Sequence, residues 1–196
     1  GMVSGGVYDS EGNPVDSCNI VLFSEDGIEA VVYSEFGGYS VELPPGHYSA
    51  FADPYPDSTF WPSFGEGGVF HLEEGSEMVI DFELFPRDEF AWVLAHLQTE
   101  MAYVEINDAS GDIFYGGYTN WWFYAGGTVP PGDYDVHVWV DDQYEYQSVS
   151  AEAGSDYFLE FDIGGGGDDG WIEGHVWDQD GNGIEDAWVS AWGNSG

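Results

Sequence analysis

The fold is decided by a pattern that occurs twice, EEGSEMVIDFEL at residues 73–84 and EAGSDYFLEFDI at residues 152–163. In each copy a Gly-Ser pair is followed by apolar residues that alternate with acidic ones, and in the first copy the apolar set includes Met78, Ile80 and Phe82. Alternation with a period of two places one set of side chains in a core and the other in water, as in a half-buried β-strand. The repetition predicts two modules built on the same strand pattern.

Other repeated segments extend the two modules. LPPGHY at residues 43–48 corresponds to VPPGDY at residues 129–134. The Pro-Gly pair supplies the fixed φ and the permissive Gly of a tight turn, and alternating apolar residues follow it from 134 to 140. We also match FGGY at residues 36–39 with YGGY at residues 115–118.

The first module contains turn signals and alternating runs for about seven strands. Short strands at this spacing, in a chain with 29 Gly and 9 Pro, predict an all-β fold of tandem β-sandwiches with about seven strands in each. We place the strands of the first module at residues 3–8, 18–24, 28–34, 39–43, 47–53, 68–72 and 77–85.

The C-terminal segment restarts the N-terminal one. Residues 170–196 align without gaps on residues 1–27, and Asp178 falls on Asp9. The segment supplies only the first two strands of a module, which are marginal in water by themselves. Either a longer tandem array continues this module, or a neighbouring molecule completes it by strand addition. The predicted organisation is a sandwich at residues 1–86, a second sandwich at 87–163, a Gly/Asp linker at 164–169 and an incomplete third module at 170–196.

The motifs of the first module resemble those of a known family. GGVYDSEGNP at residues 5–14, an alternating strand, FGGYSV at 36–41 and LPPGHY at 43–48 are similar to the carboxypeptidase regulatory-like modules, also called prealbumin-like or Cna B-type. The resemblance implies seven-stranded immunoglobulin-like sandwiches in tandem on extracellular and cell-surface proteins, with roles in spacing, adhesion or fibre building. Some such modules carry a bond between a Lys amine and an Asn or Asp side chain. This chain has no Lys, so that cross-link cannot form here.

The charge balance excludes several classes of partner. The 196 residues include 38 Asp or Glu and one Lys or Arg, which is Arg87, so the formal charge is -37. Binding to nucleic acid or to an anionic membrane needs cationic side chains, and we expect neither. Because 43% of the residues are hydrophobic and 18% aromatic, the chain has enough core material to fold. It contains no phosphate loop or nucleophile elbow, and no His or basic residue lies near Cys18 in sequence, so we expect a non-catalytic protein.

Acidic turns are the candidate metal sites. The segment DQDGNG at residues 178–183 matches the first half of an EF-hand calcium loop, although Val189 stands where that loop has a bidentate Glu. Turn chemistry alone also favours Asp, Asn and Gly, and it is the preferred interpretation of the motif by itself. The large negative charge favours bound cations, which makes calcium the candidate cofactor. The predicted ligands are Asp178, Asp180, Asn182 and Asp186, followed by Asp9, Glu11 and Asn13.

Aromatic clusters are the candidate contact sites. In the alignment on the Gly-Gly-Tyr and Pro-Pro-Gly motifs, each module carries one longer stretch rich in aromatic residues, and insertions usually lie on loops. The three candidates are contact with another subunit, stacking on a sugar and packing on the loop's own module, and subunit contact is favoured over sugar. The predicted interface residues are Trp121, Trp122, Phe123, Tyr124, Phe60, Trp61 and Phe64, together with Trp171, Trp177, Trp188 and Trp192 of the incomplete module.

These observations predict a non-catalytic extracellular or cell-surface structural protein. Its tandem repeats would form a surface array or fibril through contacts with copies of itself. The alternative is a carbohydrate-binding or adhesive accessory module of a larger secreted protein. A further expectation is that His137 faces outward from its strand, between Asp135 and Trp139.

Overall fold

The protein is described by a computed structural model that covers residues 1–54, 59–64, 68–99 and 101–163. All the secondary-structure elements in these residues are β-strands, which confirms the predicted all-β class. Within the same residues, no helix has the length and apolar character that a membrane crossing requires. Residues 1–165 form one compact unit. The predicted third module at 170–196 lies outside the described residues.

The first half of this unit contains eight strand segments. They are β1 (Met2–Asp9), β2 (Asn19–Ser24), β3 (Gly27–Tyr33), β4 (Gly38–Glu42), β5 (Gly46–Asp53), β6 (Phe70–Leu72), β7 (Glu77–Val79) and β8 (Phe82–Leu84). One sheet has the order β4-β1-β7, with β8 also paired to β1, and the other has the order β3-β2-β5-β6.

The second half contains seven strands that repeat this plan. They are β9 (Ala91–His96), β10 (Tyr103–Asp108), β11 (Ile113–Tyr118), β12 (Tyr124–Val129), β13 (Gly132–Val140), β14 (Gln143–Ala151) and β15 (Asp156–Glu160). The sheets are β12-β9-β15 and β11-β10-β13-β14. In both halves the first strand pairs in parallel with the last segments and antiparallel with the fourth strand. The two halves therefore have the same topology.

Each half has its own hydrophobic core between its two sheets. Val7 of β1 and Leu22 of β2 belong to one cluster, although these strands lie in different sheets. Val93 of β9 and Val104 of β10 play the same part in the second half. Each half is therefore a β-sandwich, as the alternating sequence predicts.

The tight turns that precede β5 and β13 are each closed by the same kind of hydrogen bond. The Tyr48 hydroxyl donates a hydrogen bond to the Pro44 carbonyl at 3.0 Å, and the Tyr134 hydroxyl donates one to the Pro130 carbonyl at 2.8 Å. Each tyrosine ring is buried in its core. The repeated Pro-Pro-Gly-x-Tyr sequence therefore encodes a turn together with the side chain that closes it.

The predicted last strand of the first half, residues 77–85, is interrupted. β7 ends at Val79 and β8 begins at Phe82. Between them the Asp81 side chain accepts the main-chain N–H of Gly6 at 2.7 Å, so a carboxylate takes the place of a main-chain acceptor. The strand therefore appears as two short segments along β1, and the first half has eight segments instead of seven.

One sequence correspondence is wrong. FGGY at residues 36–39 leads into β4, whereas YGGY at 115–118 lies inside β11, the counterpart of β3. The aromatic stretch 119–123 is consequently the β11–β12 connection, similar in length to the β3–β4 connection at 34–37, and it is not an insertion. Glycine fits the positive φ of 75° at Gly37 before β4 and also fits a crowded strand interior, so the motif does not identify its strand.

Candidate functional site

The carboxylate of Asp9 is engaged in the turn after β1. Its Oδ1 accepts the N–H groups of Glu11 at 2.9 Å and Asn13 at 2.8 Å, and Asn13 Nδ2 donates to Oδ2 at 3.0 Å. The hydrogen bond from the Asn13 side chain lowers the pKa of Asp9 below its ordinary value. This is the side-chain-to-backbone chemistry of an Asp turn, which the sequence already favoured for the motif by itself.

The second half repeats the turn at Asp108. Its Oδ1 accepts the N–H groups of Ser110 at 2.8 Å and Asp112 at 3.0 Å. In the part of the chain that the structure describes, no group of three or more His, Cys, Asp or Glu is arranged to hold a metal ion. Calcium binding at Asp9, Glu11 and Asn13 stays a prediction.

Several predicted site residues belong to the third module and lie outside the described residues. They are the metal candidates Asp178, Asp180, Asn182 and Asp186 and the interface candidates Trp171, Trp177, Trp188 and Trp192.

The aromatic residues of the β5–β6 connection lie against the second half of the unit. Trp61 is only 4% exposed, and its Nε1 donates at 2.8 Å to the main-chain oxygen just before β9. The rings of Trp61 and Phe64 both stack on Trp92 of β9, with centroids 6.0 and 6.2 Å away. The Arg87 guanidinium lies 4.4 Å from the Trp61 ring centroid, and its Nε donates to the Phe60 carbonyl at 2.9 Å. This cluster joins the two halves within the chain.

The β11–β12 connection is a closed turn organised by Asn120. The Asn120 Oδ1 accepts the N–H groups of Trp122 at 2.9 Å and Tyr124 at 3.1 Å, and Asn120 itself is buried. Trp121, Trp122 and Tyr124 are half-buried, whereas Phe123 is exposed. The predicted aromatic cluster therefore forms a turn held by part-buried hydrogen bonds to Asn120.

Trp122 covers a side chain of the first half. Leu22 of β2 faces the first core, and a register shift between β2 and β3 follows it. The next residue, Phe23, lies outside that core cluster and is nevertheless 0% exposed. Its ring stacks on Trp122 with centroids 3.8 Å apart and planes inclined by 11°. Contact with another subunit stays a prediction for the described interface candidates, which are Phe60, Trp61, Phe64, Trp121, Trp122, Phe123 and Tyr124.

A further aromatic arrangement lies elsewhere, on the outer face of β11-β10-β13-β14. Tyr118, Tyr103, Trp139 and Tyr144 are cross-strand neighbours and form one row across all four strands. Their successive ring centroids are 5.1, 5.9 and 5.4 Å apart. Tyr118 and Tyr144 are 51% and 52% exposed. We call this surface, which also includes Glu105, His137 and Tyr146, the aromatic face.

A second row of the aromatic face mixes polar and aromatic groups. Glu105, His137 and Tyr146 are cross-strand neighbours, and the His137 and Tyr146 rings stack at 5.9 Å. His137 Nδ1 lies 2.8 Å from the Tyr144 hydroxyl. Burial, and next the charge of Glu105, raise the pKa of Tyr103, whose hydroxyl also hydrogen-bonds that carboxylate. The expected outward position of His137 is therefore confirmed.

A shallow cavity of about 340 Å³ lies in the aromatic face. It is lined by Glu105, Asn107, His137, Trp139 and Tyr144. The next rows of the sheet are acidic, because they contain Asp135 and Asp133. These carboxylates accept hydrogen bonds from the Ser148 and Ser150 hydroxyls, each at 2.5 Å. The surface thus combines flat ring faces, a carboxylate and an acidic border.

The aromatic face is not among the surfaces predicted from the sequence. Its signal is alternation on two strands, Tyr103, Glu105 and Asn107 on β10 and Tyr144 and Tyr146 on β14. These residues become one surface only when the strand order and register are known, because β10 pairs with β13 across more than one intervening strand of sequence.

Comparisons with known proteins give structural likeness alone. No protein-family model and no curated protein sequence matches the chain. The Bacillus anthracis TIE protein matches with 15% identity and a TM-score of 0.37 over 82% of this chain, and this chain spans only 33% of that one. A D295N mutant of the shaft pilin SpaA from Lactobacillus rhamnosus GG matches with 10% identity and a TM-score of 0.34, covering 81% of this chain and 96% of that one. The minor pilin GBS52 of Streptococcus agalactiae matches with 11% identity and a TM-score of 0.32, covering 82% and 94%.

These values are too low to transfer residue roles. Because no family model matches, membership of the carboxypeptidase regulatory-like family stays a prediction. The functional residues are therefore those that the geometry of this chain brings together.

Proposed function

We propose that this chain is part of a non-catalytic structural or adhesive protein on the outside of a cell. In this protein, sandwiches of one plan follow one another as a surface array or fibril. The observation that carries the proposal is the repeated plan, in which two consecutive cores share the same strand pairing and the same tyrosine-closed turn. The sequence at 170–196 begins this plan again.

The charge distribution supports an exposed, repetitive object. Acidic residues occupy outward positions of strands, as Glu83 does between the buried Phe82 and Leu84 of β8. With a formal charge of -37, the chains repel one another unless cations or specific contacts bring them together. Assembly would therefore depend on defined interfaces, of which module–module docking and strand addition at 170–196 are the candidates.

The surroundings of Cys18 support a non-catalytic role. Cys18 is 1% exposed, and burial, followed by the charge of Asp53, raises the pKa of its thiol to about 12. The reactive thiolate would therefore be scarce near neutral pH. The Cys18 side chain belongs to the first hydrophobic core, where it serves as a small apolar residue.

Electron microscopy of the native material tests the proposal. Gold-labelled antibodies against the two sandwiches should mark rods or fibrils at the surface of intact cells, since domains in tandem produce elongated particles. Labelling that appears only after the cells are opened, or dispersed compact particles at high concentration with calcium present, would contradict it.

Carbohydrate binding is the alternative function. The predicted sugar-stacking residues Trp121 and Trp122 lie in the turn held by Asn120, and Trp122 stacks on Phe23. A glycan array with the unaltered chain and with Trp121→Ala and Trp122→Ala variants tests this assignment. Glycan binding that persists in both variants would show that Trp121 and Trp122 do not form the sugar site.

A further inference from the structure

The aromatic face contains negative groups without a matching cation. The Glu105 carboxylate lines its cavity, and Asp135 lies in the next row of the same sheet face. The one Arg of the chain, Arg87, is already placed over Trp61, and the sequence has no Lys. The described chain therefore leaves this surface open to a cation from another molecule.

The ring geometry suits a flat or compact cation. Trp139 lies between Tyr103 and Tyr144 in the row, with ring centroids 5.9 and 5.4 Å away. Aromatic faces attract cations held within about 6 Å, with Trp and Tyr giving strong interactions and Arg the most frequent partner. Arg adds planar stacking and a donor fork that matches a carboxylate, which Glu105 supplies at the cavity wall.

The charge of the chain identifies the kind of partner. A formal charge of -37 attracts a basic segment over long distances and raises its association rate. A neutral sugar gains nothing from this field. A second copy of this chain carries the same charge and has its single Arg engaged, so it offers no free cationic side chain from the described residues.

We propose that the aromatic face binds an arginine- or lysine-bearing segment of a partner protein. One cationic side chain stacks on the Trp139 and Tyr144 rings and pairs with the Glu105 carboxylate. The inference rests on the proposed adhesive function and names the partner chemistry of that adhesion.

Calorimetric titration of the full chain tests the inference. The probes are a capped peptide of alternating Gly and Arg, the same peptide with Gln for Arg, spermidine, and a neutral hexasaccharide, at about 0.05 and 0.3 M salt. We expect the Arg peptide to bind more tightly than spermidine, because a guanidinium stacks on rings and forks to a carboxylate. Higher salt should weaken this binding, and the Gln peptide and the hexasaccharide should not bind measurably.

Matched variants separate the site from diffuse attraction. Trp139→Leu and the more exposed Tyr144→Leu should each weaken Arg-peptide binding by about two- to thirtyfold. Glu105→Gln should weaken it by about two- to fivefold. The controls are Tyr33→Leu, a 66% exposed aromatic residue of the first half, and Glu42→Gln, an exposed acid of β4, and both should stay within about twofold of the unaltered chain.

Equal losses in the control variants would overturn the inference, because they would show attraction to the overall charge. Tighter binding of the hexasaccharide than of the Arg peptide would also overturn it, in favour of a sugar site on the same rings. The two proposals fail separately. Surface fibrils without peptide binding would refute the inference alone, whereas peptide binding by a protein found only inside cells would refute the adhesive function alone.

Discussion

The contact between Phe23 and Trp122 should couple the folding of the two sandwiches. Phe23 lies outside its own core cluster but is fully buried, and the ring stacked on it comes from the other half. Trp122→Ala would expose the Phe23 ring, at a cost of about 1.5–3 kcal/mol. It would also remove the stacking itself, a further ~0.5–1.5 kcal/mol. We therefore expect the interface to lose about 2–4.5 kcal/mol of free energy.

Urea unfolding followed by fluorescence and near-ultraviolet circular dichroism measures this loss. The unaltered chain should unfold in one transition, and Trp122→Ala should lower and broaden it, because each half keeps its own core and the Trp61–Trp92 contact still joins them. Phe23→Ala should have a similar effect. The Phe23→Ala, Trp122→Ala double variant should lose about 1–2 kcal/mol less than the sum of the single variants, since both remove the same contact.

A matched control is Tyr118→Ala. Tyr118 also contacts another ring, but it is 51% exposed on the outer face of its sheet, so the expected loss is below about 1 kcal/mol with no broadening of the transition. Strictly additive losses for Phe23 and Trp122, or an unfolding midpoint that does not change in Trp122→Ala, would refute the coupling.

Four other predictions concern single groups and bound cations. Tyr134→Phe removes the 2.8 Å hydrogen bond to the Pro130 carbonyl and should lower the unfolding free energy by about 1 kcal/mol in chemical denaturation. Burial raises the pKa of Tyr115 from 10.0 to about 12, so its contribution to stability is present below pH 10 and lost as pH rises towards 12. Unfolding measured across this range should show a steeper decline in the unaltered chain than in Tyr115→Phe. Asn13→Ala should raise the pKa of Asp9 in an NMR titration, because it removes the side-chain hydrogen bond that lowers it. At constant ionic strength, calcium should raise the melting temperature more than magnesium does. A melting temperature that is the same in chelator and in millimolar calcium would contradict the predicted calcium sites.

The sandwich plan could be predicted from local sequence. Alternation at period two identified the inward Phe82 and the outward Asp81, and the Pro-Pro-Gly-x-Tyr sequence identified the turn that Tyr134 closes. Both features depend on neighbours within a few residues, so a single strand and its turn carry the information.

The candidate site depends on contacts that no single segment contains. Tyr103 and Trp139 become neighbours only through strand pairing, and the ring that stacks on the buried Phe23 comes from Trp122 in the other half. The Gly-Gly-Tyr motif misled the alignment for the same reason, because glycine fits a turn and a crowded strand equally well. Tertiary register therefore decides which aromatic residues remain available to a partner.

The parallel pairing of the first and last strands determines how each sandwich would bear a pulling force. β9 and β15 are parallel, and their paired residues run from Trp92 opposite Asp156 to His96 opposite Glu160. A force that pulls the start of β9 away from the end of β15 therefore acts parallel to the two strands and shears the hydrogen bonds between them. All of these hydrogen bonds must then break nearly together, whereas in a hairpin pulled at its open end they break one after another. β1 is placed in the same way beside β7 and β8. We expect each sandwich to resist extension strongly, so that a tandem array would transmit load between its ends without unravelling.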